Sequence, residues 1–411
     1  GVGLFDAVVD ANGRGDYTTV QAAINAAPAN LTSPYLIFIA AGTYNECVYI
    51  PKTKPFIHLI GENPDRVKIQ FALNRVEEQT NSDTWPYSIH NPNSPARLAG
   101  YTTDQNCVVL IKATDVYLEN ISIINLYGAL KSRYDGGLGK GGQAEALCSH
   151  YDRLAMNNCK LVSFQDTWWT RFQKVNGTYG ICRAYVQNSW IEGSTDYIWG
   201  SGDVLIENST FYNTGNGSFI TASRSNETDA YGYVMKDCTI DGEAGITAFS
   251  FGRQQSTSAK AVFINTALKM DIIDGHWTAG SAAPALFGEY NTVDKNNQVI
   301  STGDMTVGSG SSQFTAKVLS ADEAAGYTYE NIIAREGWNP KQYMQTPGTT
   351  MATLDGTTLS WNAIDGAAGY LIFVNGVYLA QTTETSVSVT TAADGVYTVR
   401  GVGHYGSISA E

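Results

Sequence analysis

One short pattern recurs through the middle of this 411-residue chain: a polar turn residue followed by a strand that alternates small or polar with large apolar side chains. It reads Glu119-Asn120-Ile121-Ser122-Ile123, Asn157-Asn158-Cys159-Lys160-Leu161 and Gln187-Asn188-Ser189-Trp190-Ile191. It continues as Glu207-Asn208-Ser209-Thr210-Phe211, Lys236-Asp237-Cys238-Thr239-Ile240 and Ile264-Asn265-Thr266-Ala267-Leu268. The turn residues lie 38, 30, 20, 29 and 28 positions apart. Repeats of that length, built of strands with no helical pattern between them, predict a solenoid. Short strands rich in apolar residues narrow it to a parallel β-helix, an all-β fold. Asn suits the corners because its amide can bond neighbouring backbone and it tolerates a left-handed conformation.

An open β-helix exposes a strand edge unless something covers its end. Thr18-Thr19-Val20-Gln21 has a capping-box pattern, followed by Val20, Ala23, Ile24 and Ala27 at helical spacing and by Pro28, which predicts an amphipathic plug at the N-terminal end. Ser320 with Glu323 opens a second short helix. Composition shifts near Gln345. Beyond it the only basic residue is Arg400, strands alternate, and Asn375-Gly376 between apolar runs signals a hairpin. Residues 1–345 are therefore assigned to the β-helix and 346–411 to a small β-sandwich module, joined by Thr346-Pro347-Gly348.

Charged residues make up 16%, well under the usual share of about 25%. Apolar coil interiors explain that. The formal net charge of -13 disfavours a nucleic-acid partner. No run of about 18 apolar residues is present to span a membrane. The first residues carry no basic and apolar leader, so the chain is expected to be cytosolic or to have lost a signal peptide. The six cysteines, Cys47, Cys107, Cys148, Cys159, Cys182 and Cys238, form no C-x-x-C pair and have no His at ligand spacing, so no metal site is expected. Their wide scatter fits disulfides and buried thiols alike.

One cluster carries chemistry: Gly142-Gln143-Ala144, Gln165-Asp166-Thr167, Asp196-Tyr197-Ile198-Trp199-Gly200 and Gly252-Arg253. Asp166 lies eight residues after Asn158, and Asp196 eight after Asn188. Equal phase in successive coils stacks the two on one face, about 4.8 Å apart along the backbone. Two carboxylates that close do not both ionise freely, so the pair offers an acid beside a base or nucleophile. Taken singly, each Asp reads better as a corner residue; matched phase, neighbouring Gln residues and a candidate Arg partner reverse that preference in favour of catalysis. The chain lacks the G-x-S-x-G of a serine esterase elbow.

These motifs, with Gly15-Asp16-Tyr17-Thr18-Thr19-Val20-Gln21-Ala22-Ala23-Ile24, Gly42-Thr43-Tyr44-Asn45-Glu46, Ile60-Gly61-Glu62 and Phe251-Gly252-Arg253, give a chain that resembles the pectin methylesterases from about Val8 to Trp338. The resemblance implies a right-handed parallel β-helix that hydrolyses methyl esters of polygalacturonate, with no cofactor. It implies Asp196 as nucleophile, Asp166 as general acid and then base, Gln143 and Gln165 as oxyanion donors, and Arg253 as the partner that holds Asp196 ionised. Where the family has Pro-Trp after the Arg, a sugar-stacking surface, this chain has Gln254-Gln255. Trp168 and Trp169 are expected to replace that platform, with Tyr197 and Trp199 beside them. Lys131, Arg133 and Lys140 precede Gln143 and are expected to meet free carboxylates of the pectin or oligogalacturonide substrate. The long polar stretch from Asn74 to Asn106, with Trp85, Tyr87 and His90, stands out as an insert.

The tail resembles a fibronectin type III module, short by an edge strand, which by analogy implies a secreted, bacterial enzyme, extracellular or periplasmic. A monomer is expected. Two other readings are compatible with the motifs: the same fold acting on another uronate ester or a thioester, and a non-catalytic glycan-binding β-helix.

Overall fold

The structure is a computed structural model that describes residues 4–74, 91, 93, 107–390 and 395–411. Of the insert between Asn74 and Asn106, Trp85, Tyr87 and His90 lie outside the described residues. The chain winds into a parallel β-helix of three faces. One coil illustrates the plan: Arg183–Gln187 on the first face, Trp190–Gly193 on the second, Ile198–Gly200 on the third. The next coil begins at Asp203, in register with Arg183. The third face is a separate seven-stranded parallel sheet running from Val48–Ile50 to Phe249–Gln254.

Alternation within each strand builds the core. On the second face Ile123, Leu161, Ile191, Phe211 and Ile240 are in register on successive coils, all 1% exposed or less. Each such side chain contributes about 1.5–3 kcal/mol on leaving water. The corner between the first two faces is a ladder of left-handed residues. Asn120, Asn158, Asn188, Asn208, Asp237 and Asn265 all have φ between 48° and 57°, and Asn291 extends the series at 54°. Side-chain amides link successive rungs: Asn158 donates to Asn120 (2.8 Å), Asn208 to Asn188 (2.5 Å), Asn265 to Asp237 (3.1 Å) and Asn291 to Asn265 (2.9 Å). The six sequence repeats are rungs of this ladder.

The N-terminal plug is the helix Val20–Ala26, but its cap differs from the sequence pattern. Thr19, not Thr18, is the N-cap, and the Glu46 carboxylate accepts from the amides of Val20 and Gln21, both at 2.9 Å. Gln21 turns inward and exchanges hydrogen bonds with the backbone of Tyr49. The predicted capping box at Ser320 and Glu323 forms on the helix Ala321–Ala325. All six cysteines are buried free thiols.

The tail forms two three-stranded antiparallel sheets, with Asn375 (φ 53°) and Gly376 (φ 77°) as the hairpin turn. Its core gathers Leu359, Trp361, Tyr370, Ile372, Val389 and Val399. The tail is not a separate bead on a linker. Leu371, Phe373, Tyr378, Val402 and Ile408 share a second cluster with Phe5, Phe38, Ile60 and Tyr117 on the outer side of the β-helix's first face. Under this cover the buried Glu119 carboxylate accepts from Tyr117 Oη (2.6 Å), Asn157 Nδ2 (3.0 Å) and Ser407 Oγ of the tail (3.3 Å). Burial pushes the Glu119 carboxyl up, against these hydrogen bonds.

His58 lies on the same covered face, 1% exposed, edge-on to Tyr343 at 4.6 Å. Burial pushes its imidazole down to about 3 from an ordinary 6.5. A folded-state pKa lowered in this way leaves the unfolded chain binding more protons between those values. The neutral ring's contribution is complete above about pH 6.5 and is lost as pH falls toward 3, at up to about 1.4 kcal/mol per unit. Differential scanning calorimetry across that window should show a steeper fall in Tm for wild type than for His58→Phe.

Candidate active site

The second face hands over to the third through a tight corner, and the chemical residues stand there. Parallel bridges place Gln143, Gln165 and Thr195 in one rung, so Asp166 and Asp196 follow one residue later on adjacent coils. The Asp166 amide donates to Thr195 O at 3.0 Å, fixing that register. Both aspartates have positive φ, 61° for Asp166 and 49° for Asp196. They are corner residues as well as candidate catalysts: the left-handed conformation that Asp tolerates turns each side chain outward at the start of the third sheet. They are 4% and 3% exposed.

Arg253 comes from the strand Phe249–Gln254, two strands away from Ile198–Gly200 in the third sheet. Register aligns it with Ala222, Trp199, Trp169 and Cys148, a row on the outer side of that sheet. Its guanidinium grips Asp196 with both prongs, Nε to Oδ1 at 3.0 Å and Nη2 to Oδ2 at 2.6 Å. That fork-to-carboxylate geometry is the strong, directional form of the ion pair. The hydrogen bond to Asp196 pushes the guanidinium pKa up, burial opposes it, and the Asp166 charge adds to the rise. Asp166 therefore sits within electrostatic reach of the same arginine. No hydrogen bond among the described residues occupies the side-chain amides of Gln143 or Gln165.

Strand parity separates Trp168 from Trp169, while Tyr197 lies at the corner just before the strand Ile198–Gly200. Trp169 and Trp199 lie on the outer side of the third sheet and stack at 4.2 Å with their planes 10° apart, 7% and 9% exposed. Arg171 lies over Trp169 at 4.7 Å. Trp168 and Tyr197 are turned the other way. Both are 0% exposed inside the coil, where Trp168 Nε1 donates to Ser149 Oγ (3.1 Å) and Tyr197 Oη to Asn213 Oδ1 (2.9 Å). The apolar neighbours Ile198 and Leu147, in register with Trp168, mark the inward column.

Lys131 and Lys140 are exposed on the loop before Gln143. Arg133 is exposed as well, and its guanidinium also makes contacts within the protein. It pairs with Glu243 (3.0 Å) and Glu192 (3.5 Å) and stacks on Tyr212 at 4.4 Å. Gln254 is 3% exposed and turned into the coil, so it offers no sugar platform in place of the family's Trp. Two contacts have no signal in the sequence, Arg171 over Trp169 and Phe219 beneath Arg253 at 4.8 Å. The first is an i, i+2 contact at the end of the strand Trp168–Thr170, and the second joins neighbouring coils.

A parallel β-helix whose third sheet carries a stacked pair of indoles, an arginine-held carboxylate and a second carboxylate one coil away defines a β-solenoid hydrolase. The chain belongs to the pectinesterase family: the family profile matches residues 6–93 and 96–336. It is 27% identical over 338 residues to the "Probable pectinesterase A" of Neosartorya fischeri, covering 81% of this chain and 88% of the relative. To "Pectinesterase 31" of Arabidopsis thaliana it is 28% identical over 288 residues, covering 69% and 80%. Among solved structures, the pectin methylesterase from carrot superposes with a TM-score of 0.63 at 22% identity, over 84% of this chain and 98% of that one. The Erwinia chrysanthemi pectin methylesterase superposes with a TM-score of 0.60 at 23% identity, over 82% and 98%. Residues 337–411 lie beyond the profile match.

Proposed function

We propose that the chain hydrolyses methyl esters of polygalacturonate to methanol and free carboxylates, with Asp196 as nucleophile and Asp166 as general acid and base. The observation that carries this is the two-pronged Arg253–Asp196 pair with Asp166 in register on the adjacent coil. Arg253 aims the Asp196 carboxylate with two hydrogen bonds, which separates the roles of two otherwise equivalent aspartates. Asp196 attacks the ester carbonyl carbon, and the negative charge moves to the carbonyl oxygen. Gln143 and Gln165 donate to that oxygen, each worth about 3–4 kcal/mol where such donors are preorganised. Asp166 gives its proton to the departing methoxy oxygen and releases methanol, leaving an acyl-Asp196 anhydride. It then takes a proton from the water that attacks the anhydride, which restores Asp196 and leaves the sugar carboxylate.

A pectin methylesterase of the same fold has been solved with a hexasaccharide, which supports a sugar chain as the occupant of the corresponding groove here. We infer that Trp169 and Trp199 line it and that Lys131 approaches free carboxylates along the chain. Trp169→Ala should then raise KM about 5- to 10-fold, the loss of one aromatic contact of roughly 1 kcal/mol. Trp168→Ala should instead lower stability by about 3–5 kcal/mol, as expected of a buried indole. Thermal melts and methanol-release kinetics on both variants separate the two. We read the tail as a fibronectin type III-like module and the whole as a secreted bacterial monomer.

The experiment that tests the function is methanol release from highly methylated polygalacturonate, with de-esterified polygalacturonate as the blank. Release should accompany an equal appearance of carboxylate by titration. Absence of both would leave the fold standing and remove the activity.

A further inference from the structure

Gln143 ends a loop that begins at Leu126, and the fold gives this loop an unusual anchorage. The loop doubles back on itself, with Leu138 N donating to Leu126 O (2.8 Å), Gly139 N to Ala129 O (2.9 Å) and Lys140 N to Tyr127 O (2.9 Å). Its midpoint reaches over the second face. There Ala129, Leu126 and Tyr134 pack on Ile124 and Val162. At the tip, Tyr134 Oη donates to Glu192 Oε1 at 2.9 Å, and Trp190 Nε1 donates to the same oxygen at 3.0 Å. Arg133 lies between Glu192 and Glu243, stacked on Tyr212 with Trp190 alongside at 5.6 Å.

Glu192 is the hub. Its side chain is fully buried although charged groups seldom are, and it faces away from the coil interior towards the loop. Four residues further along the same chain stands Asp196. The backbone of Glu192 is tied to the corner as well, since its carbonyl accepts from Thr167 Oγ1 at 2.8 Å. One buried carboxylate thus joins the loop that delivers Gln143 to the strand that delivers Asp196 and to the corner that holds Asp166.

We propose that Glu192 and Arg133 are positioning residues: a latch that locks the loop 126–142 against the Asp196 strand and so sets the distance from Gln143 to the reacting carbonyl. The catalytic consequence rests on the oxyanion role given to Gln143 above; the lock itself does not. An Arg held by two carboxylates and two ring faces uses its planar fork, which Lys cannot reproduce. A misplacement of about 1 Å in a catalytic group can cost about 100-fold in rate.

The test compares Arg133→Ala, Arg133→Lys and Glu192→Gln with wild type, each also in a Gln143→Ala background. Kinetics use methylated polygalacturonate, and hydrogen exchange follows the amides of residues 126–142. Expected are faster exchange across that loop, kcat lowered roughly 10- to 100-fold with KM within about 2-fold, and no further loss in the Gln143→Ala background. Arg133→Lys should behave like Arg133→Ala. Unchanged exchange in all three variants overturns the latch. A raised KM at constant kcat, restored by Arg133→Lys, overturns it in favour of a substrate-binding arginine. Additive losses with Gln143→Ala overturn the positioning role. If Gln143→Ala alone turns over at the wild-type rate, the oxyanion assignment fails, and the latch stands or falls on exchange.

Discussion

Asp196→Ala should lower methanol release by about 10⁴- to 10⁶-fold, the range seen when a residue of a covalent catalytic unit is removed. The size follows from its place in the site. Asp196 is the carboxylate that Arg253 orients with two hydrogen bonds, so its attack trajectory is preset, and no other described carboxylate is held that way beside the two amides. Asp196→Asn should be nearly as damaging, because it keeps the shape and the Arg253 neighbour but removes the attacking charge. Neither variant should unfold the chain. The backbone at φ 49° is one that Asn adopts readily, and Arg253 keeps Asp166 within electrostatic reach. Circular dichroism and melting would establish that, and single-turnover methanol assays would read the rate. A slow but measurable Asp196→Ala enzyme, within about 100-fold of wild type, would contradict nucleophilic catalysis by this residue. Asp166→Ala offers the contrast. It should slow both half-reactions yet leave the first attack possible on an ester with a good leaving group, so activated esters should lose far less than methyl esters.

Removal of the tail by ending the chain at Gln345 should destabilise the β-helix by roughly 5 kcal/mol or more. The tail covers Phe5, Phe38 and Ile60, each worth about 1.5–3 kcal/mol when withdrawn from water. Tyr378 packs on Phe38 at 5.1 Å, and Phe5 N donates to Gln381 Oε1 at 2.8 Å. Arg400, 8% exposed, donates to the Glu62 carbonyl across the junction at 2.8 Å. Truncation would also strip the Ser407 hydrogen bond from buried Glu119, leaving that carboxyl partly unsatisfied. Denaturant titration of full-length and truncated chains should show a lower midpoint, together with binding of an apolar dye by the truncated form. Equal midpoints would mean that the tail is a passenger on a simple Thr346-Pro347-Gly348 linker.

Much of the active site is legible in residue order because a solenoid converts sequence spacing into spatial neighbourhood. Asn158 to Asp166 and Asn188 to Asp196 are equal steps from equivalent corners, so the two carboxylates fall in adjacent coils. Arg253, more than fifty residues on, is reachable only through the family resemblance, since nothing local says which coil face it occupies. Among the tryptophans, Trp168 and Trp169 are adjacent and chemically identical. Which one lies on the outer side of the sheet depends on the inward column set by Leu147 and Ile198.

The sequence by itself determined what repeats: the Asn corners, the inward apolar columns, the phase of the aspartates and the hairpin in the tail. These depend on neighbours along the chain or on a fixed period, and both are written in residue order. Tertiary structure decided what meets across coils and across modules. Arg133 meets Glu192 and Glu243, Glu46 caps the first helix, and the tail seals the first face over Glu119. Each is a contact between segments with no common period. Its partner is selected by shape, by charge and by the cost of leaving a buried polar group alone.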